Sequence, residues 1–592
     1  MTINNEAPKK KLPKKELRIL KKKTIIGFGI VAAVAVAGII GGIYLFSEPP
    51  KYSNLIIGTN WGIWQSLDPL NTNVPTDYDI TCQIAEGLFD YAMASDGSLV
   101  IHNLAINHSW SIDYLNLSCN LRQGVKFHDG TTFNAAAVKW NFDRIYNLID
   151  LNKSHKYDSS FWLFSDGKRI INETKVINDY TVCFILNKPY IPFPAVLASV
   201  FSYILSPNST PFNDVIPIDG GLVGTGPFIY DDYIMGEKIL LSSNPSYWGG
   251  QPKINKLIYL ILDRTARYDA LLSGDVSMLN GYNQLYNPDP DAIYYDDAID
   301  VYSFFNDTSL IIQEGPPAFH FTYLIINNKL VPVEMREAIS YALNYSYIIQ
   351  EAINGHGVRH KSPIPEGMLY SNLTGIDYPY YNISKARQAL KDAGWPGTTN
   401  LTANDDISPG NEWEMLVTNN TALETYNYTC VEARASELNL LFYSLFAGDL
   451  KQIGVKIELA NITRAEWSAI CKGTGGYHLD MINFIIMGFN GPRLNDPSHI
   501  IQTLYFSRDY IGHDNFGQVN DTLVEQWIEQ ALEEPDEKIR SQIYYDIQKR
   551  LTEEVFPTCY LYRKNYLSIF RSNLKGWEVH QFKSNFKNIY FE

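Results

Sequence analysis

Cysteine is scarce in this 592-residue chain. Its six cysteines (Cys82, Cys119, Cys183, Cys430, Cys471 and Cys559) include no CxxC pair and no Cys/His spacing of the kind a zinc site uses, so a metal centre has no support. They could pair in an oxidising compartment, and spacing alone leaves fifteen connectivities open. Catalytic signatures are missing too: no HExxH, no GxSxG and no GxxxxGK[ST] occurs, which removes the zinc-peptidase, serine-hydrolase and P-loop readings. Gly224-Thr225-Gly226-Pro227 lacks a third glycine and leads into strand-like Phe228-Ile229-Tyr230, so a tight turn is expected there. No cofactor and no covalent chemistry are implied. Low-complexity segments and repeats are absent beyond residue 53, and 45% hydrophobic with 13% aromatic residues excludes a disordered chain.

Positive charge is nearly all at one end. Residues 1–23 carry nine Lys/Arg against Glu6 and Glu16, and the rest of the chain bears −22 of the formal −15 total. A body that acidic repels a phosphate backbone, so no nucleic-acid partner is expected. Charge then vanishes from Thr24 to Ser47, a run that as a helix would span roughly 36 Å, enough to cross a bilayer. The basic arm fixes that end in the cytoplasm. We therefore expect a cytoplasmic arm (1–23), an uncleaved transmembrane anchor (24–47), a short linker (48–53) and a body on the extracellular face of the cell membrane.

Fourteen Asn-x-Ser/Thr sequons lie after the span and none before it: Asn107, Asn116, Asn152, Asn172, Asn208, Asn306, Asn344, Asn372, Asn382, Asn400, Asn419, Asn427, Asn461 and Asn520. Chance at this composition gives roughly five or six. The excess points to a glycosylated exterior.

Along the body, β-branched runs at 115–121, 180–186, 318–326 and 557–562 read as strands. Helices are expected at 135–148 behind a cap at Asn134, at 384–393 ended by Gly394, and at 536–554. In the last, Ile539, Ile543, Ile547 and Leu551 form a stripe expected to face the core. His128-Asp129-Gly130 reads as a turn.

Several strings then carry a resemblance. LRQGVKFHDGTTFNAAAVKWNFDRI (121–145) resembles the signature of the family 5 extracellular solute-binding proteins, the oligopeptide- and dipeptide-binding components of ABC importers. Ser66-Leu67-Asp68-Pro69, Glu86-Gly87-Leu88, GTGPF with SSNPSYWGG (242–250), RYDALLSGDVSML (267–279), VEMREAISYALNYSYII (333–349), ISKARQALKDAGW (383–395) and LKQIGVKIEL (450–459) follow in that family's order. The resemblance implies an α/β fold, a two-lobed periplasmic-binding-protein-like clamshell of type II with mixed sheets, preceded here by one transmembrane helix. Lobe I would comprise 54–305 plus 556–592, with a subdomain at about 97–192, and lobe II 306–555. The chain would cross between lobes near 306–321 and 554–562.

It also implies a function without catalysis: capture of a peptide or similar solute between the lobes and delivery to an ABC importer permease. An oligosaccharide ligand on the same fold remains open, as does a different class, a surface-anchored hydrolase or glycan-binding structural protein. The loop 71–77 resembles the family's ligand-lining loop, making Asn73 and Val74 candidates, with Trp61 and Trp64 as stacking platforms. In peptide-binding relatives the segment matching 480–497 carries an aromatic residue followed closely by an Asp for the peptide ammonium. Phe489 can stand for the aromatic, but Pro492 or Arg493 takes the acid's place. Two outcomes stay open: Asp496 substitutes for the missing acid, or the site, with Phe489, Asn490 and Arg493, does not read a free peptide N-terminus.

Overall fold

The computed structural model describes residues 54–592 apart from 60–61, 64–65, 73–74, 93–99, 155–159, 280–307, 432–436, 473–477, 490–493, 508–514 and 579–582. The arm, anchor and linker expected at 1–53 lie outside the described residues. Among those described, no helix is long and apolar enough to cross a membrane.

The β-branched segments assemble into a mixed sheet of twelve strands. On one side, Leu55–Thr59 runs parallel to Lys256–Ile261 and to Met278–Leu279, and Lys238–Ser243 and Phe228–Ile234 extend it antiparallel to the edge. On the other, Glu424–Val431 runs parallel to both Val455–Ile462 and Phe484–Phe489, and Phe484–Phe489 pairs antiparallel with Phe321–Ile326. A single strand, Thr558–Arg571, joins the two sides. Its first half pairs with Phe321–Ile326 and Gly357–Arg359, its second with Leu310–Pro317 and Met278–Leu279. The strand expected to stop at 562 thus continues for nine residues, because a second set of partners takes over at Asn565.

A separate four-stranded antiparallel sheet (Ala105–Trp110, Asn116–Leu121, Thr181–Leu186, Ile171–Asn178) is covered by the helix Ala135–Asp150. The Asn134 side chain accepts the Ala137 N–H and so fixes where that helix starts. Val138, Phe142 and Ile145 then fall on one face and pack on Leu117 and Phe184. The helices Ile383–Asp392 and Glu537–Arg550 start the same way, on Asn382 and Asp536.

Three expectations need correction. Ile539 is 49% exposed while Ile543, Ile547 and Leu551 are buried. Four-residue steps rotate about 40° each, so a row of four drifts off any one face, and Arg540 and Tyr544 take the buried positions instead. The helix runs to the expected end, its last five residues, Leu551–Val555, wound as a π turn. Gly224 and Gly226 do not make a tight turn: a Cβ on either would fall 2.3–2.7 Å from the Ile84 backbone, so close approach of two chains demands glycine there. Finally, all six cysteines are free. Cys119 and Cys183 sit on neighbouring strands but stand opposite Val182 and Ser118, so their thiols point to opposite faces of the sheet.

Asp68, from the Leu-Asp-Pro string, is fully buried and binds the Arg144 guanidinium at 2.5 and 3.3 Å, while also accepting the Ile216 and Leu70 N–H groups. It ties the first strand's loop to the helix Ala135–Asp150. Removing one partner of a buried pair strands the other charge, so Asp68→Ala should lower unfolding free energy by about 3–5 kcal/mol. The check is the denaturant midpoint at unchanged m-value; a loss below about 1 kcal/mol would remove the pair's structural role.

Candidate solute site between the two sides of the sheet

Beyond the shared strand, a row of aromatic rings links the Phe489 side to the part that carries the four-stranded sheet. Phe489 ends its strand opposite Phe321 in register, and the two rings stack at 5.5 Å and 24°. From Phe489 the row continues to His499 (6.2 Å), which stacks on Phe161 (4.5 Å), which stacks on Phe201 (4.3 Å), which meets Tyr78 edge-on. Phe321, Phe489 and His499 belong to one side, and Phe161, Phe201 and Tyr78 to the part that carries the four-stranded sheet. Polar contacts follow the same seam. The Asn495 N–H donates to the Tyr91 hydroxyl (3.4 Å), which donates to the Ala195 carbonyl; the Ile191 N–H donates to the Leu532 carbonyl; Lys188 pairs with Glu533.

Of the site residues expected from sequence, Phe489 alone is described, and it is buried at the seam. Trp64, Asn73, Val74, Asn490 and Arg493 lie outside the described residues, as do Trp61 and the sequon at Asn306. In chain order, Trp61 and Trp64 come soon after the strand that ends at Thr59, and Asn490 and Arg493 after the strand that ends at Phe489. Sequence reasoning missed Phe321, His499, Phe161 and Asn495. Phe321 carried a usable signal, as the first residue of a strand pairing with the Phe489 strand; the others come together through tertiary packing alone.

The Asp496 alternative closes. Its carboxylate accepts Arg540 Nη1 at 2.6 Å and Nη2 at 2.9 Å and the Ser498 N–H at 2.9 Å, at 4% exposure. Arg540 is itself held by the Ala531 carbonyl and lies against the Tyr370 and Tyr544 rings. That carboxylate's charge is already balanced by a buried guanidinium, so it offers no uncompensated charge to a ligand ammonium. Burial pushes the Asp496 carboxyl up, and the Arg540 guanidinium more than offsets this, leaving it below the usual carboxylate range. Nearby His360 is held neutral by burial and by Arg563 and Arg359. Several buried neutral groups have no hydrogen-bond partner among the described residues, including the Asn495 carboxamide (2% exposed), the Ser498 hydroxyl, His360 Nε2 and the Thr72 hydroxyl, which follows the Leu-Asp-Pro string.

The other fold-signature strings serve packing. Glu86 accepts the Tyr247 and Thr225 hydroxyls and the Trp248 indole N–H, so Tyr247-Trp248 is tied to the interior. A cavity of about 1270 Å3 lined by Lys329, Arg336, Asp480, Asp521 and Arg550 lies at the Ile326/Phe484 end of the strand pair, away from Phe489. Its charges pair among themselves, Lys329 with Asp480 and Arg550 with Asp521.

The sequence profile of the bacterial extracellular solute-binding proteins, family 5 (middle region), matches residues 100–510. The chain belongs to this family. Within that setting, it is 27% identical over 514 residues to the dipeptide-binding protein of Escherichia coli, covering 83% of this chain and 86% of that one. Among solved structures it is similar to NikA of Brucella suis in complex with Fe(III)-EDTA (TM-score 0.72, 20% identity, 91% and 100% coverage). It also resembles DppA of Helicobacter pylori in complex with the peptide STSA (TM-score 0.69, 20% identity, 92% and 99% coverage). The fold is thus the mixed-sheet α/β fold of periplasmic binding proteins.

The Asp496 carboxylate has its pKa depressed in the fold, so its contribution is present above the unfolded value near pH 4 and is lost as pH falls through the folded value. Acid titration of stability should therefore show a wild-type decline below about pH 4 that Asp496→Asn flattens. The variant should start about 3–5 kcal/mol lower at pH 7, because Arg540 is left unpaired. An unchanged acid profile would take Asp496 out of that account.

Proposed function

We propose that this chain is the anchored extracytoplasmic receptor of an ABC importer, taking up peptides or similar small solutes between two lobes and handing them to the permease. Lobe I is 54–305 with 556–592, carrying a subdomain at about 97–192, and lobe II is 306–555. The observation that supports this reading is the aromatic seam at Phe489, the last residue of its strand, whose ring stacks on Phe321 and leads through His499 to Phe161. Solutes in open α/β sheets bind outside the carboxyl ends of strands. Trp64, Asn73, Val74, Phe489, Asn490 and Arg493 are proposed to contact the solute. No step of this function makes or breaks a covalent bond.

The anchor at 24–47 and the cytoplasmic arm belong to the same reading, supported by the uncharged run and the confinement of sequons to one side of it. Thirteen of the fourteen sequons fall on described residues; ten of those asparagines are exposed and three half-buried. Protease applied to intact cells should remove everything after about residue 50 and leave the arm. A mature protein that begins beyond residue 40 and washes off in salt would overturn the anchor.

The solute's end group follows from Asp496. With that carboxylate bound to Arg540 and no acid between Asp480 and Asp496 in sequence, a peptide ammonium at this seam lacks a charge-assisted hydrogen bond of about 1.5–3 kcal/mol. Peptides should bind with N-acetylated and unblocked forms within about threefold of each other in calorimetric titration of residues 50–592. A loss of about tenfold or more on acetylation would show that an ammonium is read after all. In the same samples the radius of gyration should fall on saturation with the tighter form; binding without contraction would remove lobe closure.

A further inference from the structure

The part that carries the four-stranded sheet is fastened to the rest of lobe I and to lobe II in different ways. Toward lobe I the fastening is polar and buried: Arg144 binds Asp68 and the Asp214 carbonyl, the Asn141 carboxamide bonds both the N–H and the C=O of Leu205, and the His128 N–H donates to the Gly224 carbonyl. Toward lobe II the described residues make little polar contact. The Ile191 N–H donates to the Leu532 carbonyl at 2.8 Å, the Asn495 N–H reaches the Tyr91 hydroxyl at 3.4 Å, and Lys188 pairs with Glu533 at 2.9 Å with both side chains half-exposed. The main contact is apolar. Leu494 and Leu532, 1% and 4% exposed, join a core whose other members all come from residues 70–204, and His499 stacks on Phe161 in the same seam.

The two fastenings differ in what parting them costs. Separation from lobe I strands buried charges and amides, whereas separation from lobe II exposes two leucines and ring faces and leaves few polar groups without partners. The seam toward lobe II is therefore the one that opens. On the lobe II side it is tied to the solute segment: Arg540 holds the Asp496 carboxylate, three residues beyond 490–493, and the Ala531 carbonyl, one residue before Leu532. Leu532 and the Asp496 turn thus move together.

We propose that Leu532, with Lys188 and Glu533, sets solute affinity from outside the solute site: when the lobes close, these residues latch lobe II onto the sheet-bearing part of lobe I and add their own contacts to those of the solute. The inference rests on the two-lobed, solute-binding reading above. A solute that binds the closed form is helped by whatever stabilises that form. Burial of one leucine shifts such an equilibrium by about tenfold or more. Because the latch touches no solute, it scales the affinity of every solute by one factor and leaves the preference among solutes as it is. A residue in the site changes both.

The test is calorimetric titration of the full-length chain in detergent with Ala-Xaa-Ala tripeptides, unblocked and N-acetylated, whose central residue is Ala, Leu, Phe, Ser or Glu. Leu532→Ala should raise Kd about tenfold and Glu533→Lys about threefold, by the same factor for every peptide the wild type binds and through faster dissociation. Adding Lys188→Glu to Glu533→Lys should bring Kd back to within about twofold of wild type, because the pair is remade with its charges exchanged. Hydrogen exchange over 188–191 should slow on peptide saturation in the wild type and slow less in Leu532→Ala, while the helix Ala135–Asp150 exchanges alike in both. If Leu532→Ala melts early, the half-exposed pair carries the test alone. The proposal is overturned if neither variant changes Kd, if the factor differs more than about threefold among peptides, if the charge exchange fails to restore affinity, or if exchange over 188–191 ignores the peptide. A wild-type chain that binds none of these peptides overturns the solute-binding reading and the latch with it; wild-type binding with unaltered variants overturns the latch alone.

Discussion

One strand, Thr558–Arg571, constrains everything else. Fourteen residues extended at about 3.3 Å each run through both sides of the sheet without a break, changing partners between Lys564 and Asn565. A β-strand is stiff across its ladder and bends chiefly where pairing is interrupted. The interruption is visible: Leu310–Pro317, alongside it, slips register between Glu314 and Pro317, and Asn565 faces that slip with its amide on the Glu314 carboxylate at 2.6 Å. Any change of angle between the two sides must be absorbed here and in the short link from Pro317 to Phe321. The parts on either side can then be rigid, and their cores are densely aromatic.

The two sides also secure their strand-end loops by the same device. Nine residues beyond the strand ending at Thr59 comes Asp68-Pro69; seven beyond the strand ending at Phe489 comes Asp496-Pro497. In each, proline stiffens the chain, the aspartate is buried, and an arginine from a helix, Arg144 or Arg540, binds the carboxylate through two nitrogens. Buried ion pairs contribute little net stability because desolvation offsets their attraction, but breaking one partner is costly, so they act as locks on geometry. In chain order, residues 60–65 and 490–493 each fall between a strand end and a locked Asp-Pro.

How much of this was legible in the sequence depends on the distance over which each feature is decided. Helix starts at Asn134, Asn382 and Asp536 were readable because a capping side chain bonds an N–H two or three residues away. The family's ordered strings, likewise, are local. The length of Thr558–Arg571 was not readable, since its second half is held by strands some 250 to 290 residues earlier in the chain. Gly224 and Gly226 misled for the same reason: the backbone they make room for is Ile84. At the site, Phe489 could be picked out by its string, whereas its partners Phe321, His499 and Phe161 come from three separate segments, and the fate of Asp496 was decided by Arg540 forty-four residues on.

Apart from its ion pairs, the seam is lined by neutral groups among the described residues; Arg493 lies outside them. Asp496 is paired with Arg540, His360 is uncharged, and beside them stand the aromatic rings and the Asn495 carboxamide. A buried carboxamide with neither end bonded costs roughly 1–3 kcal/mol for each unmet group, a cost that a solute amide offering both an N–H and a C=O can relieve in one contact. Charge at this depth would be recognised by an opposite charge or excluded by desolvation. A neutral lining selects instead for groups that tolerate dehydration, namely apolar side chains against the rings and peptide or hydroxyl groups against the amide. In the importer reading proposed above, binding energy then comes from many modest contacts formed when the two sides close, with Arg493 the one charged side chain proposed among them, so affinity and closure are coupled through the shared strand.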